Sequence, residues 1–109
     1  MPVVGSEVKY ALISAASAGD NTLVAGVTGL KIRVLSLFLV ASGGANTVRF
    51  ESGAGGTALT GLMDILADGQ LNLPYNPAGW FETAAAALLN LELSAATAVG
   101  GGVTYVETE

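Results

Sequence analysis

Residues 30–41 have the sequence LKIRVLSLFLVA, and this stretch is the best evidence for the fold class. Its β-branched and aromatic content favours a strand, in which successive side chains point to opposite faces. Both predicted faces are apolar: Ile32, Val34, Phe38 and Val40 on one, and Leu35, Leu37 and Leu39 on the other. A single small domain has one core. We therefore expect the second face to be covered by another element or another molecule.

The rest of the chain repeats this pattern of short apolar runs separated by turn residues, which is typical of an all-β sandwich or barrel. We predict seven strands, at residues 8–15, 22–25, 30–41, 47–52, 69–73, 88–96 and 103–108. Residues 42–46 and 99–102 are glycine-rich and predict hairpin loops. Residues 60–68 fit either helical turns or a strand with loops. The expected fold is a jelly-roll-like antiparallel β-sandwich of about 7–8 strands.

Length and charge limit the function classes. The 109 residues suit one domain, 1–109, with residues 1–7 as an N-terminal arm. Only 12% of the residues are charged, which favours a protein that hides part of its surface in an oligomer or on a larger body. A net charge of −5 with four scattered basic residues argues against a nucleic-acid partner. No apolar run approaches the roughly 20 residues of a membrane helix, so we expect no membrane partner.

Residues for catalysis are scarce. The chain has no histidine and no cysteine, which are the usual general base, nucleophile and metal ligands. Asp64 and Asp68 would share one side of a helical turn, if that segment is helical, as a carboxylate pair requires. Two loop carboxylates that keep an apolar chain soluble are the preferred explanation, because an isolated pair gives no pocket or partner. We therefore predict no enzyme, no cofactor and no metal.

Three aromatic residues, Tyr75, Trp80 and Phe81, lie within seven positions, next to Pro74 and Pro77. The prolines restrict the backbone, so this loop could present the aromatic rings as a preorganised contact. A sugar-binding platform is one interpretation. Core or interface packing is the other, since large apolar area dominates the energetics of aromatic side chains.

Residues 69–83, GQLNLPYNPAGWFET, together with 89–94 and 101–106, resemble small structural proteins of tailed bacteriophages. Residues 31–34 and 46–50 fit the resemblance more loosely. It implies a β-sandwich of the capsid decoration, or cement, type. Such a protein is often trimeric and sits over junctions of the major capsid protein. No functional residue is carried over individually.

The resemblance and the apolar strand together predict a virion structural protein, made in the bacterial host cytoplasm and located on the capsid exterior. It would stabilise the shell as a homo-oligomer, most simply a trimer, by binding the major capsid protein. We assign Leu35, Leu37 and Leu39 to the protomer interface and Tyr75, Trp80 and Phe81 to a partner contact. The alternative is a tail-associated carbohydrate- or receptor-binding β-sandwich module.

Overall fold

A computed structural model describes residues 7–109 and contains ten strands. They are β1 (Lys9–Ala15), β2 (Gly19–Val24), β3 (Lys31–Val40), β4 (Asn46–Ser52), β5 (Thr57–Ala58), β6 (Met63–Ile65), β7 (Gln70–Leu73), β8 (Phe81–Glu82), β9 (Leu89–Leu93) and β10 (Val99–Thr108). The predicted N-terminal arm, residues 1–7, lies outside the described residues apart from Glu7.

The strands form two antiparallel sheets. The front sheet has the order β1-β10-β3-β7, with β8 also paired to β3, and the back sheet has the order β2-β9-β4-β5, with β6 also paired to β4. The short strands β5 and β6 occupy one position beside β4, and β7 and β8 occupy one position beside β3. Counted in this way, eight strands wrap between the two sheets in jelly-roll order. The predicted all-β, jelly-roll-like sandwich is confirmed.

The core lies between the two sheets and is built by alternation. In β9, Leu89, Leu91 and Leu93 are buried in the core, as the alternating sequence of this strand predicts. Facing them from the front sheet are apolar side chains of β1, β3 and β10, among them Ile13 and Val103. One inward face per strand therefore accounts for the sandwich interior.

Strand β3 does not alternate along its whole length, because it contains a β-bulge. Ser36 pairs with Thr104 and Val34 pairs with Tyr105, so Leu35 has no partner in β10. The extra residue shifts the alternation, and Leu37 and Leu39 therefore face the core on the same side as Val34. Their neighbours at positions 38 and 40 face outward. The predicted division of β3 into two uninterrupted faces is wrong for this reason.

Both predicted hairpin loops are also corrected. Of residues 42–46, Asn46 begins β4, and the others connect β3 in the front sheet to β4 in the back sheet, so they cross the sandwich instead of joining paired strands. Residues 99–102 belong to β10. A side chain at Gly101 would overlap the carbonyl oxygen of Phe38 on β3. Glycine at this position permits close approach of two strands, which a sequence pattern does not distinguish from a turn.

Residues 60–68, for which the sequence left two alternatives, form the short strand β6 with loops on both sides. The alanine-rich residues 84–87 lie in the loop before β9, and Ala86 has a positive φ of 68°. Two further strands start or end away from their predicted limits: β2 begins at Gly19 and β9 ends at Leu93.

Candidate interaction surface

The outward face of the front sheet, here called the front face, carries large exposed apolar side chains. Leu12 on β1 is 71% exposed, Tyr10 on the same strand is 55% exposed, and Phe38 on β3 is 49% exposed. Leu12 pairs with Gly102, and Gly102 pairs with Phe38, so these positions form one row across three strands. The exposed area of the three side chains is roughly 350 Å², comparable to the largest apolar patch on a typical monomer.

The front face is also free of charge over its central part. In the rows that contain Gly100, Gly102 and Thr104, its outward positions are occupied by uncharged residues only: Tyr10, Leu12, Ser14, Ser36, Phe38, Val40, Gln70, Asn72, Gly100, Gly102 and Thr104. Farther along the same face, Arg33 and Glu82 form an ion pair at 2.9 Å. Water solvates the exposed apolar side chains Tyr10, Leu12 and Phe38 unfavourably, and burial against another apolar surface would remove this cost. The front face has the character of an interface.

Two glycines of β10 determine the relief of the front face, that is, which of its positions protrude and which are recessed. A side chain at Gly102 would overlap the ring and hydroxyl of Tyr10, so the tyrosine lies across this glycine. At Gly100 a Cβ would meet only the carbonyl oxygen of Ile13, at 3.9 Å. Gly100 pairs with Ser14 on one side and Val40 on the other. The result is an open trough over Gly100 beside the protruding Leu12.

The outward face of the back sheet, here called the back face, has the opposite character. Asn90 is fully buried, and its side-chain amide donates 2.9 Å hydrogen bonds to the carboxylates of Asp20 and Glu51. The Arg49 guanidinium contacts Glu51 at 2.9 Å and Glu92 at 2.6 Å. Charged and amide groups therefore satisfy one another on this face, which needs no further partner to be stable.

The back-face network changes the acidity of two of its members. The pKa of Glu92 is lowered from its ordinary value of 4.5 by the hydrogen-bonding influence of Glu51 and by the Arg49 guanidinium. The pKa of Arg49 is raised by its hydrogen bonds to Glu92 and Glu51. Both shifts favour the charged forms, so the network is held together by ion pairing at neutral pH.

The three leucines predicted for a protomer interface are buried within one chain. Leu37 and Leu39 are 3% and 0% exposed and belong to the core cluster. Leu35, the bulge residue, is 3% exposed, and its carbonyl oxygen accepts a hydrogen bond from the backbone N–H of Asn76. These side chains are too buried to contact a second protomer. The bulge shifts the alternation of β3, so that Phe38 and Val40 occupy the outward positions instead.

The sequence interpretation missed Tyr10 and Leu12. The signal was present: residues 8–14 have the sequence VKYALIS, in which Tyr10 and Leu12 alternate with the inward-facing Ala11 and Ile13. Strand β1 is therefore apolar on both faces, as β3 is. The front face arises where β1 and β3 lie on either side of the glycines of β10.

The three aromatic residues predicted for a partner contact divide into two groups. Tyr75 is 63% and Trp80 43% exposed, and the indole N–H of Trp80 donates a 2.8 Å hydrogen bond to the carbonyl oxygen of Pro74. Phe81 instead packs against the core, with its ring centroid 5.1 Å from that of Phe50. Only Tyr75 and Trp80 are therefore available to a partner.

A pocket of about 200 Å³ lies between the sheets beside Trp80 and Phe81. Apart from Thr60, its lining is hydrophobic: Phe50, Leu59, Met63, Leu71, Leu73, Trp80 and Phe81. The Thr60 hydroxyl accepts a hydrogen bond from Phe50 and donates one to Gly61. The polar groups of the lining are thus engaged within the chain.

The two aspartates considered for catalysis do not form a carboxylate pair on a helical turn. Asp64 lies in β6 and accepts a 2.7 Å hydrogen bond from Thr47, whereas Asp68 occupies the following turn with a φ of 60°. Across residues 7–109, no group of three or more acidic side chains is arranged to hold a metal ion. The same residues contain no helix long and apolar enough to cross a membrane.

Comparison with known protein families gave no matching family model, and comparison with curated proteins gave no significant relative.

Proposed function

We propose that this chain is a virion structural protein of the capsid decoration type, which binds the outer surface of a phage capsid shell as a homo-oligomer. The observation that carries the proposal is the exposed apolar and uncharged region around Leu12 and Phe38 on the front face, on a sandwich whose back face is charged and internally satisfied. A jelly-roll core that is already complete within one chain leaves this face without a structural role of its own.

Such a protein works by binding alone. A ligand that prefers the assembled shell stabilises that shell by its preferential affinity, without any chemical turnover. The resemblance noted above implies a trimer, and an uncharged front face supports any closed homo-oligomer. Residues at a rotation axis meet their own copies, so a charged side chain there would be repelled by an identical charge.

The first experiment measures the mass of the purified chain by light scattering over a wide concentration range, followed by co-sedimentation with phage heads lacking the protein. We expect a mass of two or more copies, with a trimer as the simplest outcome, and saturable binding to the heads. A matched Asp64→Asn variant, changed away from the front face, serves as the control. A chain that stays monomeric and does not bind the heads would refute the proposal.

A second candidate function is a tail-associated module that binds carbohydrate or a receptor. The exposure of Tyr75 and Trp80 favours it, because aromatic rings stack on sugar faces. The indole N–H of Trp80 and the amide of Asn76 are already hydrogen-bonded within the loop, so the loop offers few free polar groups to hydroxyls. Titration of Trp80 fluorescence with glycans tests this function, and an unchanged spectrum counts against it.

A further inference from the structure

We infer that the front face binds a second copy of this chain by a specific contact, in which Leu12 of one copy enters the trough over Gly100 of the other. This inference rests on the proposed function, for which it names the contact between protomers. Surface relief identifies the occupant, charge permits it, and area sets the expected strength of the contact.

Charge permits a second copy of the chain to bind at this face. The protein carries a net charge of −5, so two copies repel each other on average. On the front face, strands β1, β10, β3 and β7 present only uncharged residues outward over the two neighbouring rows that contain Gly100 and Gly102, away from the Arg33–Glu82 ion pair. Two such faces meet without like-charge opposition and without leaving an ion desolvated.

Relief selects the contact within that face. Leu12, at 71% exposed, is the most prominent apolar side chain on the front face. The space over Gly100 is open, and it is bordered by Ser14 and Val40 in the same row. Over Gly102 the corresponding space is filled by Tyr10 of the same chain. A leucine from a second copy therefore has one glycine, not two, over which it can be buried.

Area sets the expected strength. The roughly 350 Å² of exposed side chain from Tyr10, Leu12 and Phe38 is less than half of the ~800 Å² that each partner buries in an interface of standard size. Leucine burial then makes up a large part of the association free energy. Removing this contact should weaken association by about tenfold or more, the loss expected for one buried leucine side chain.

The test fills the trough instead of deleting a residue. Gly100→Val adds a β-branched side chain at a position where a Cβ makes no close contact and the backbone φ is not in the left-handed region. The isolated chain should therefore fold as before. Gly61→Val makes the same change in the connection between β5 and β6, where a Cβ meets nothing within 4 Å, and serves as the matched control. Leu12→Thr removes the protruding side chain and keeps a residue suited to a strand.

Sedimentation equilibrium of the full chain and each variant gives the association constant, and far-UV circular dichroism reports the fold. We expect Gly100→Val and Leu12→Thr each to weaken association about tenfold or more, and Gly61→Val to leave it unchanged. The double variant should associate no more weakly than the weaker of the two single variants, because both changes remove the same contact.

Two results would overturn the inference. If Gly100→Val folds and associates like the unmodified chain, the trough is not the binding position, although the homo-oligomer and its binding to phage heads stand. If the unmodified chain is monomeric at every concentration, the contact does not form in solution. Binding to phage heads then decides separately whether the proposed function fails as well.

Discussion

Adjacent residues of β3 should respond in opposite ways to truncation, because the bulge at Leu35 sets which of them faces the core. Leu39 is fully buried in the core cluster, whereas Phe38 is 49% exposed on the front face. Leu39→Ala should lower the free energy of unfolding by about 2–5 kcal/mol, the range for a leucine removed from a packed core. Phe38→Ala should cost roughly 1 kcal/mol or less, as for a surface substitution.

Unfolding of the two variants in urea measures this difference. Far-UV circular dichroism monitors the unfolding, at a protein concentration where the chain is monomeric. Monomeric conditions are needed because Phe38 also belongs to the proposed interface. The slope of the unfolding free energy with urea should be unchanged, so that the midpoint reports stability alone. In thermal unfolding, Leu39→Ala should lower the Tm by roughly 8–40 °C, since each kcal/mol corresponds to about 4–8 °C in a domain of this size.

If β3 alternated without interruption, as the sequence predicts, the two truncations would have the reverse effects on stability. Without the bulge, Phe38 would share the face of Val34 and lie in the core, and Leu39 would face outward. A Phe38→Ala variant that loses as much stability as Leu39→Ala would therefore refute the position of the bulge. The front face and the contact built on it would then have to be abandoned.

Three further outcomes follow from the structure. Gly101→Ala should unfold the chain or cost more than about 3 kcal/mol, because the added carbon overlaps β3, while Gly100→Ala should be tolerated; thermal unfolding distinguishes them. Glu51→Ala should cost about 1–3 kcal/mol in urea unfolding, because buried hydrogen-bond donors lose their partner, against less than about 0.5 kcal/mol for the exposed control Asp64→Ala; equal losses would contradict the network. The pKa of Glu92 is lower in the folded chain than its ordinary value of 4.5, so its ion pair stabilises the fold above pH 4.5, and this stability is lost as the pH falls through the folded-state pKa. The stability of the unmodified chain and that of Glu92→Gln, measured against pH, should therefore converge in acid. Parallel curves would count against a stabilising role of the Glu92 carboxylate.

Strand β9 shows how far the sequence alone carries the fold. Leu89, Leu91 and Leu93 alternate with polar residues, and each of the three is buried as that alternation predicts. The polar positions between them form the back-face network with β2 and β4, so one face is core and the other is polar. Where a strand has one apolar and one polar face, its orientation follows from the period of two.

The candidate site was harder to predict, because both of its outer strands are apolar on both faces. In β1 and β3 hydrophobicity does not distinguish inward from outward positions, so alternation identifies two sets of residues without saying which is buried. The leucines assigned to an interface are in the core for this reason. Tyr10 and Leu12, which form the exposed surface with Phe38, carried the same ambiguous signal.

The amino-acid sequence by itself determined that the chain is an all-β sandwich, that its strands recur at short intervals, and that it has too few charged residues to distribute them over its whole surface. These properties depend on local preference and on composition. Only the tertiary structure decided which face of β3 is buried, because the bulge exists only in the pairing of β3 with β10. It also decided that Gly100, Gly101 and Gly102 belong to a strand. At Gly101 a neighbouring strand, and at Gly102 the Tyr10 ring, approaches too closely for a side chain. Contacts between residues distant along the chain set both features, and no local pattern contains them.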